Sequence, residues 1–61
     1  MNKYSLDVIW NEEIVDTINF ISENDETAIE KAKGWIEFSE GEHGILYDGV
    51  NLTCKIKVIQ K

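Results

Sequence analysis

An α+β domain of order ββαββ, with one helix packed on one face of a small antiparallel sheet, is predicted by three features of this chain. Residues 3–10 alternate between two faces with a period of two. Residues 24–36 carry a helix cap followed by an apolar stripe of helical spacing. An Asp48-Gly49 pair then separates two further β-rich runs, a strong signal for a two-residue hairpin turn.

In the first strand Tyr4, Leu6, Val8 and Trp10 fall on one face, and Lys3, Ser5, Asp7 and Ile9 on the other. Asn11-Glu12-Glu13 reads as a short loop, and a β-branched run follows from Glu13 to Ser22. A three-residue loop would pair Trp10 with Ile14, Leu6 with Ile18 and Tyr4 with Phe20. That register collects the large side chains on one face, Asp16 excepted. A slip of one residue would turn every side chain to the opposite face.

Asn24 is a helix N-cap, and Asp25 and Glu26 follow at the positive end of the helix dipole. Ala28, Ile29, Ala32, Trp35 and Ile36 form the buried stripe, with Glu30, Lys33, Gly34 and Glu37 opposite. Phe38 falls off the stripe, so the helix ends near it or leaves it exposed. Gly34 reads as a tolerated glycine rather than a site of close approach. Gly41 and Gly44 mark a loop, and Ile45–Tyr47 a short strand. Val50 to Gln60 alternates again, with Leu52, Cys54, Ile56 and Val58 inward and Thr53, Lys55, Lys57 and Ile59 outward. The expected core is Leu6, Val8, Ile18, Ala28, Ile29, Ala32, Ile36, Cys54, Ile56 and Val58.

A chain of 61 residues is a single domain, 1–61. At this size folding buries only about 60% of the unfolded surface. One core then contributes roughly 3–5 kcal/mol, and small domains usually need a further support. Cys54 has no partner for a disulfide, and Cys54 and His43 are too few for a four-ligand zinc site. No cofactor or metal is expected. Oligomerisation remains, so a homodimer is expected. One helix covers one sheet face, and Ile9, Val15, Ile21 and Ile59 are assigned to the uncovered one as the candidate dimer interface, beside Thr17 and Thr53.

The chain carries twelve acids, six lysines and no arginine, a net charge of −6. From Glu12 to Glu30 there are seven acids and no basic residue. Phosphate backbones are bound by clustered Lys and Arg, so direct nucleic-acid binding is not expected, nor attraction to an acidic membrane. Met1-Asn2-Lys3 runs straight into the first strand, without a leader or a membrane span, and with the lone Cys this leads to an expected cytoplasmic location. It also reads as a complete small gene product.

Few residues suit catalysis, and no enzymatic activity is expected. His43 lies near Glu40, Glu42 and Asp48, which reads as a solvated acidic loop more simply than as a metal site. Cys54 reads as a small core hydrophobe. Trp10, Trp35 and Tyr47 read as core, or as interface anchors if exposed. Glu12, Glu13, Glu23, Asp25 and Glu26 are the candidate protein-binding residues. Together with Asp16 they are too many for capping alone. They serve solubility or recognise a basic surface, including by mimicry of a nucleic-acid backbone.

The hairpin carrying Thr17-Ile18 leads through a cap into an acidic helix, Glu26-Thr27-Ala28-Ile29-Glu30-Lys31-Ala32. Over residues 13–33 this resembles the DpnD/PcfM-like small proteins of phages and plasmids. Gly34-Trp35 and the Asp48-Gly49 pair depart from that pattern. The resemblance carries over no catalytic residues and implies a mobile-element accessory protein. Small acidic phage proteins often antagonise host defence by binding it. The expected function is therefore stoichiometric inhibition of a host anti-phage defence protein. The alternative is a structural or regulatory interaction module, an antitoxin-like partner of a neighbouring gene product.

Overall fold

The computed structural model describes residues 1–50 and 54–61; Leu52 and Thr53, assigned above to the last strand, lie outside them. The elements are β1 (Asn2–Trp10), β2 (Glu13–Ser22), α1 (Asp25–Glu37), β3 (His43–Asp48) and β4 (Lys55–Gln60). The strands form one antiparallel sheet in the order β2-β1-β3-β4, and α1 packs on one face. This is the α+β class and ββαββ order that the sequence predicts.

Tyr4, Leu6 and Val8 of β1 meet Ala28, Ala32 and Ile36 of α1, with Leu46 and Ile59 completing the buried core. Ile18, Phe20, Ile29 and Ile56 pack around it. The helix begins as its sequence requires, with the Asn24 side chain accepting from the Thr27 N–H at 2.8 Å. Its seat on the sheet is set by a strand glycine. Gly44 lies in β3 rather than in a loop, and a Cβ there would stand 2.5 Å from Ile36 Cδ1 and 3.0 Å from Leu6 Cδ1. The glycine therefore lets Ile36 press directly onto the sheet. Gly34, by contrast, has open space where its Cβ would be.

The first hairpin turns in two residues, not three. Asn11 (φ 53°) and Glu12 (φ 66°) both adopt left-handed backbone, the geometry that matches the right-handed twist of paired strands. Trp10 consequently pairs with Glu13, and Ile9 with Ile14. An irregularity between Val8 and Ile9 then adds Val15 to β2, and the expected pairs Leu6↔Ile18 and Tyr4↔Phe20 are recovered beyond it. The bulge supplies the residue that the shorter turn omits.

The β3–β4 connection differs more. The Asp48 N–H donates to the Cys54 carbonyl at 3.1 Å, so Asp48-Gly49 is not a two-residue turn, and among the described glycines none has positive φ. The Asp48 carboxylate instead accepts from the Val50 N–H at 2.8 Å. Gly49 donates to the Lys3 carbonyl and lies so close to β1 that a Cβ would be 2.8 Å from Lys3 C. The register of β4 on β3 departs from the parity expected of a tight hairpin. A second irregularity, between Leu46 and Tyr47, admits Ile56 to the core rim. The inward assignments of Cys54 and Val58 are thereby corrected: both are exposed, and Ile59 is buried in their place at 1% exposure.

Two substitutions separate the roles of the glycines. Gly34→Ala is expected to raise stability by about 1 kcal/mol, the helix-propensity difference, whereas Gly44→Ala should lower it by about 1–3 kcal/mol through overpacking. Urea denaturation of both variants checks the opposite signs. At the first turn, Glu12→Gly removes the cost of a side chain in left-handed backbone, and a gain of about 1 kcal/mol is expected in the same measurement.

Candidate protein-binding surface

The two-residue turn and the Val15 bulge together shape one end of the molecule. Val15 faces the helix side, where it lines a groove of about 340 Å³ with Val8, Asp16, Ile18 and the segment Phe38–Gly41. The groove lies where α1 ends above β2. Phe38 is the C-cap residue and is 89% exposed. Ser39 then turns the chain, its hydroxyl donating to the Ile36 carbonyl at 2.8 Å and accepting from the Gly41 N–H at 3.1 Å. Gly41 packs under Val8, and Glu42 donates its N–H to the Ile9 carbonyl at 2.8 Å, leading the chain into β3.

Trp10, at the end of β1, is 50% exposed rather than core, and with Val15 and Glu40 it lines an adjoining cleft. Trp10, Val15 and Phe38 thus leave apolar surface in water around one groove. Their setting is acidic. Glu12 and Glu13 lie at the hairpin tip, Asp16 and Glu40 on the groove wall, and Glu42 beside the end of β1. The Lys61 ammonium, bonded to the Ser39 carbonyl, is the basic group held against this segment among the described hydrogen bonds.

The acids singled out from the sequence do not form one arc. Glu12 and Glu13 stand at one end of β2, and Glu23, Asp25 and Glu26 at the other, about 30 Å away at the usual rise per residue. Two of the distant group are occupied with folding. Asp25 and Glu26 fill the first turn of α1, and the Asp25 carboxylate accepts from the Tyr4 hydroxyl at 2.8 Å. Tyr4 in turn accepts from the Asn2 side-chain amide at 3.4 Å, and its ring stacks on Phe20, which meets Trp35 edge-on. Nearby, the buried Ser22 hydroxyl finds no hydrogen-bond partner among the described residues. Glu40, Glu42 and Phe38, distant in sequence from the hairpin, were not singled out for binding. Only the pairing of β3 with β1 brings them to it.

The residues assigned to a dimer interface also separate. Ile59 lies in the core and Val15 in the groove. Ile9 stays on the uncovered face but is 8% exposed, between Ile14 and His43 in the cross-strand row. Ile21 lies on that face beside Lys3. The next rows there read Thr17-Asp7-Ile45-Val58 and Asn19-Ser5-Tyr47-Lys55. Each mixes polar with apolar residues, and the Thr17 hydroxyl donates to the Asp7 carboxylate at 3.0 Å.

Among the described residues, no three His, Cys, Asp or Glu side chains converge as a metal site, and no helix is long and apolar enough to cross a membrane. The chain matches no family model, and no curated protein or solved structure matches it either.

The Tyr4–Asp25 contact has a pH signature. Burial raises the Tyr4 phenol above its ordinary 10.0; the Asn2 hydrogen bond opposes this, and the Asp25 carboxylate adds to the rise. The folded state therefore holds this proton more tightly than the unfolded state. The contribution is fully present below pH 10 and is lost as pH rises through the higher folded value. Tyr4→Phe should flatten that part of the alkaline decline, read from denaturation midpoints on either side of pH 10.

Proposed function

We propose that this chain is a protein-binding module that acts by occupying its partner, without a catalytic step, through the groove between the first hairpin and the end of α1. The observation that carries this reading is the grouping of Trp10, Val15 and Phe38, all at least half exposed, within a setting of Glu12, Glu13, Asp16 and Glu40. Aromatic anchors supply most of the energy in protein interfaces, while rim charges set association rate and partner choice. The matching partner surface is a large apolar side chain flanked by lysine or arginine. In the mobile-element setting that the resemblance to DpnD/PcfM-like proteins implies, the partner is a host anti-phage defence protein, inhibited stoichiometrically.

The test is phage plating on hosts that each carry one defence system, with and without the chain, followed by binding measurements on the system it silences. Trp10→Ala with Phe38→Ala should weaken binding by about 30-fold or more, as loss of an anchor of about 2 kcal/mol implies, and should abolish protection. Changing Glu12, Glu13 and Glu40 to Gln should slow association and flatten its salt dependence; changing Glu23 and Glu26 should leave both unaltered. If the aromatic variants bind as the parent does, the groove is not the contact surface. If the chain silences no defence system, the defence target is wrong and the interaction-module alternative replaces it.

A further inference from the structure

β2 is an edge strand ten residues long, and a strand of that kind is a template for another chain. The direction of its backbone groups follows from β1. The Lys3 and Ile9 carbonyls accept from Gly49 and Glu42, on the β3 side. Backbone groups alternate sides along a strand, so Tyr4 and Leu6 bond toward β2, to their partners Phe20 and Ile18. Thr17, Asn19 and Ile21 therefore turn their N–H and C=O groups outward, away from the sheet.

Two of these outward groups are occupied by side chains of the same molecule. The Asp16 carboxylate accepts from the Thr17 N–H at 2.9 Å. The Lys31 ammonium, reaching over from α1, donates to the Ile21 carbonyl at 3.2 Å. These positions are symmetric about Asn19. If a second copy of β2 paired antiparallel around a two-fold axis at Asn19, Thr17 of one copy would stand opposite Ile21 of the other. The Thr17 N–H would then donate to the Ile21 carbonyl, twice by symmetry. The two capped groups are thus the donor and the acceptor of the same intermolecular bond. The register also suits the side chains. It sets Ile18 opposite Phe20 on the helix side, which extends the core face across the junction, and Asn19 opposite Asn19.

We infer that β2 is a self-association edge held shut by Asp16 and Lys31, and that its occupant once the caps are released is β2 of a second copy, paired around Asn19. The inference does not rest on the proposed function: Asp16 also lines the groove, but the readout is the chain's own mass, not partner binding.

Sedimentation equilibrium at high micromolar concentration provides the test, with circular dichroism confirming the fold. The parent is expected as a monomer and the Asp16→Ala/Lys31→Ala variant at twice its mass. Adding Asn19→Pro, which removes the central outward N–H from an edge where proline is tolerated, should return that variant to a monomer. In a Cys54→Ser background, Asn19→Cys added to the uncapped variant should cross-link to itself on oxidation, because directly paired Cα atoms stand about 5.5 Å apart; Thr17→Cys should not. Should the double alanine variant lose its fold, Asp16→Val/Lys31→Met, which also lacks both capping groups, carries the same measurement. An uncapped variant that stays monomeric overturns the inference. So does a parent that is already dimeric, whether or not Asn19→Pro dissociates it, since the caps would then not be the gate.

Discussion

The contact of Ile36 with Gly44 is the constraint on which the rest of the molecule depends. Ala28, Ala32 and Ile36 are the buried residues of α1, and the two alanines are too small to hold a helix against a sheet by area alone. Only the absence of a side chain at Gly44 brings Ile36 into van der Waals contact with Leu6 and the strand backbone. Interiors are packed as densely as organic crystals, so one methyl group at that position is felt across the interface. That seat fixes how closely α1 lies over β1 and β3. It also sets where the helix stops, leaving Phe38 and the turn at Ser39 suspended beside β2.

The first hairpin supplies the other wall of the groove by a compensation. Its turn is one residue shorter than the apolar pattern asks for, and the bulge at Val15 restores the count. The cost is local: Glu12 sits in left-handed backbone. The consequence is a shape in which Trp10 and Val15 stand on the helix side near the end of α1. In the register of a three-residue loop Val15 would stand opposite Ile9 on the uncovered face; the two-residue turn brings it to the helix side. Bulges commonly re-aim side chains, and here one keeps Asp16 and Ile18 on the groove side beyond the two-residue turn.

A single helix on a four-stranded sheet leaves one face and two edges to be managed. The uncovered face is broken up by Lys3, Asp7, Thr17 and Asn19 among its apolar residues, and Asp7 and Thr17 satisfy each other. The β2 edge carries the carboxylate and ammonium caps, and β4 is short, with Lys55 and Lys57 exposed along it. Charges and irregularities at edges are the usual protection against unwanted strand pairing. Asp25 and Glu26 thus serve the helix start, Asp16 the β2 edge, and Glu40 the groove wall.

Local chemistry by itself determined the class, the element order, the Asn24 cap, the Ala28, Ala32 and Ile36 positions of the helix stripe (though not Trp35, which is exposed) and the register of Leu6 and Tyr4 with Ile18 and Phe20. Each follows from interactions within a turn of helix or between neighbouring strands, whose periods are written directly in the residues. The parity of β4 was not legible, because the irregularity at Leu46/Tyr47 resets it, and Ile59 rather than Val58 reached the core. Nor was the candidate site. Glu12 and Glu13 could be picked out as charged, but the grouping of Trp10, Val15 and Asp16 with Phe38 and Glu40 exists only once β3 pairs with β1 and α1 has docked. Alternation and spacing report which way a side chain points within its own element. Which distant residues share a surface is decided by packing between elements, and in this chain that packing turns on one glycine and one bulge.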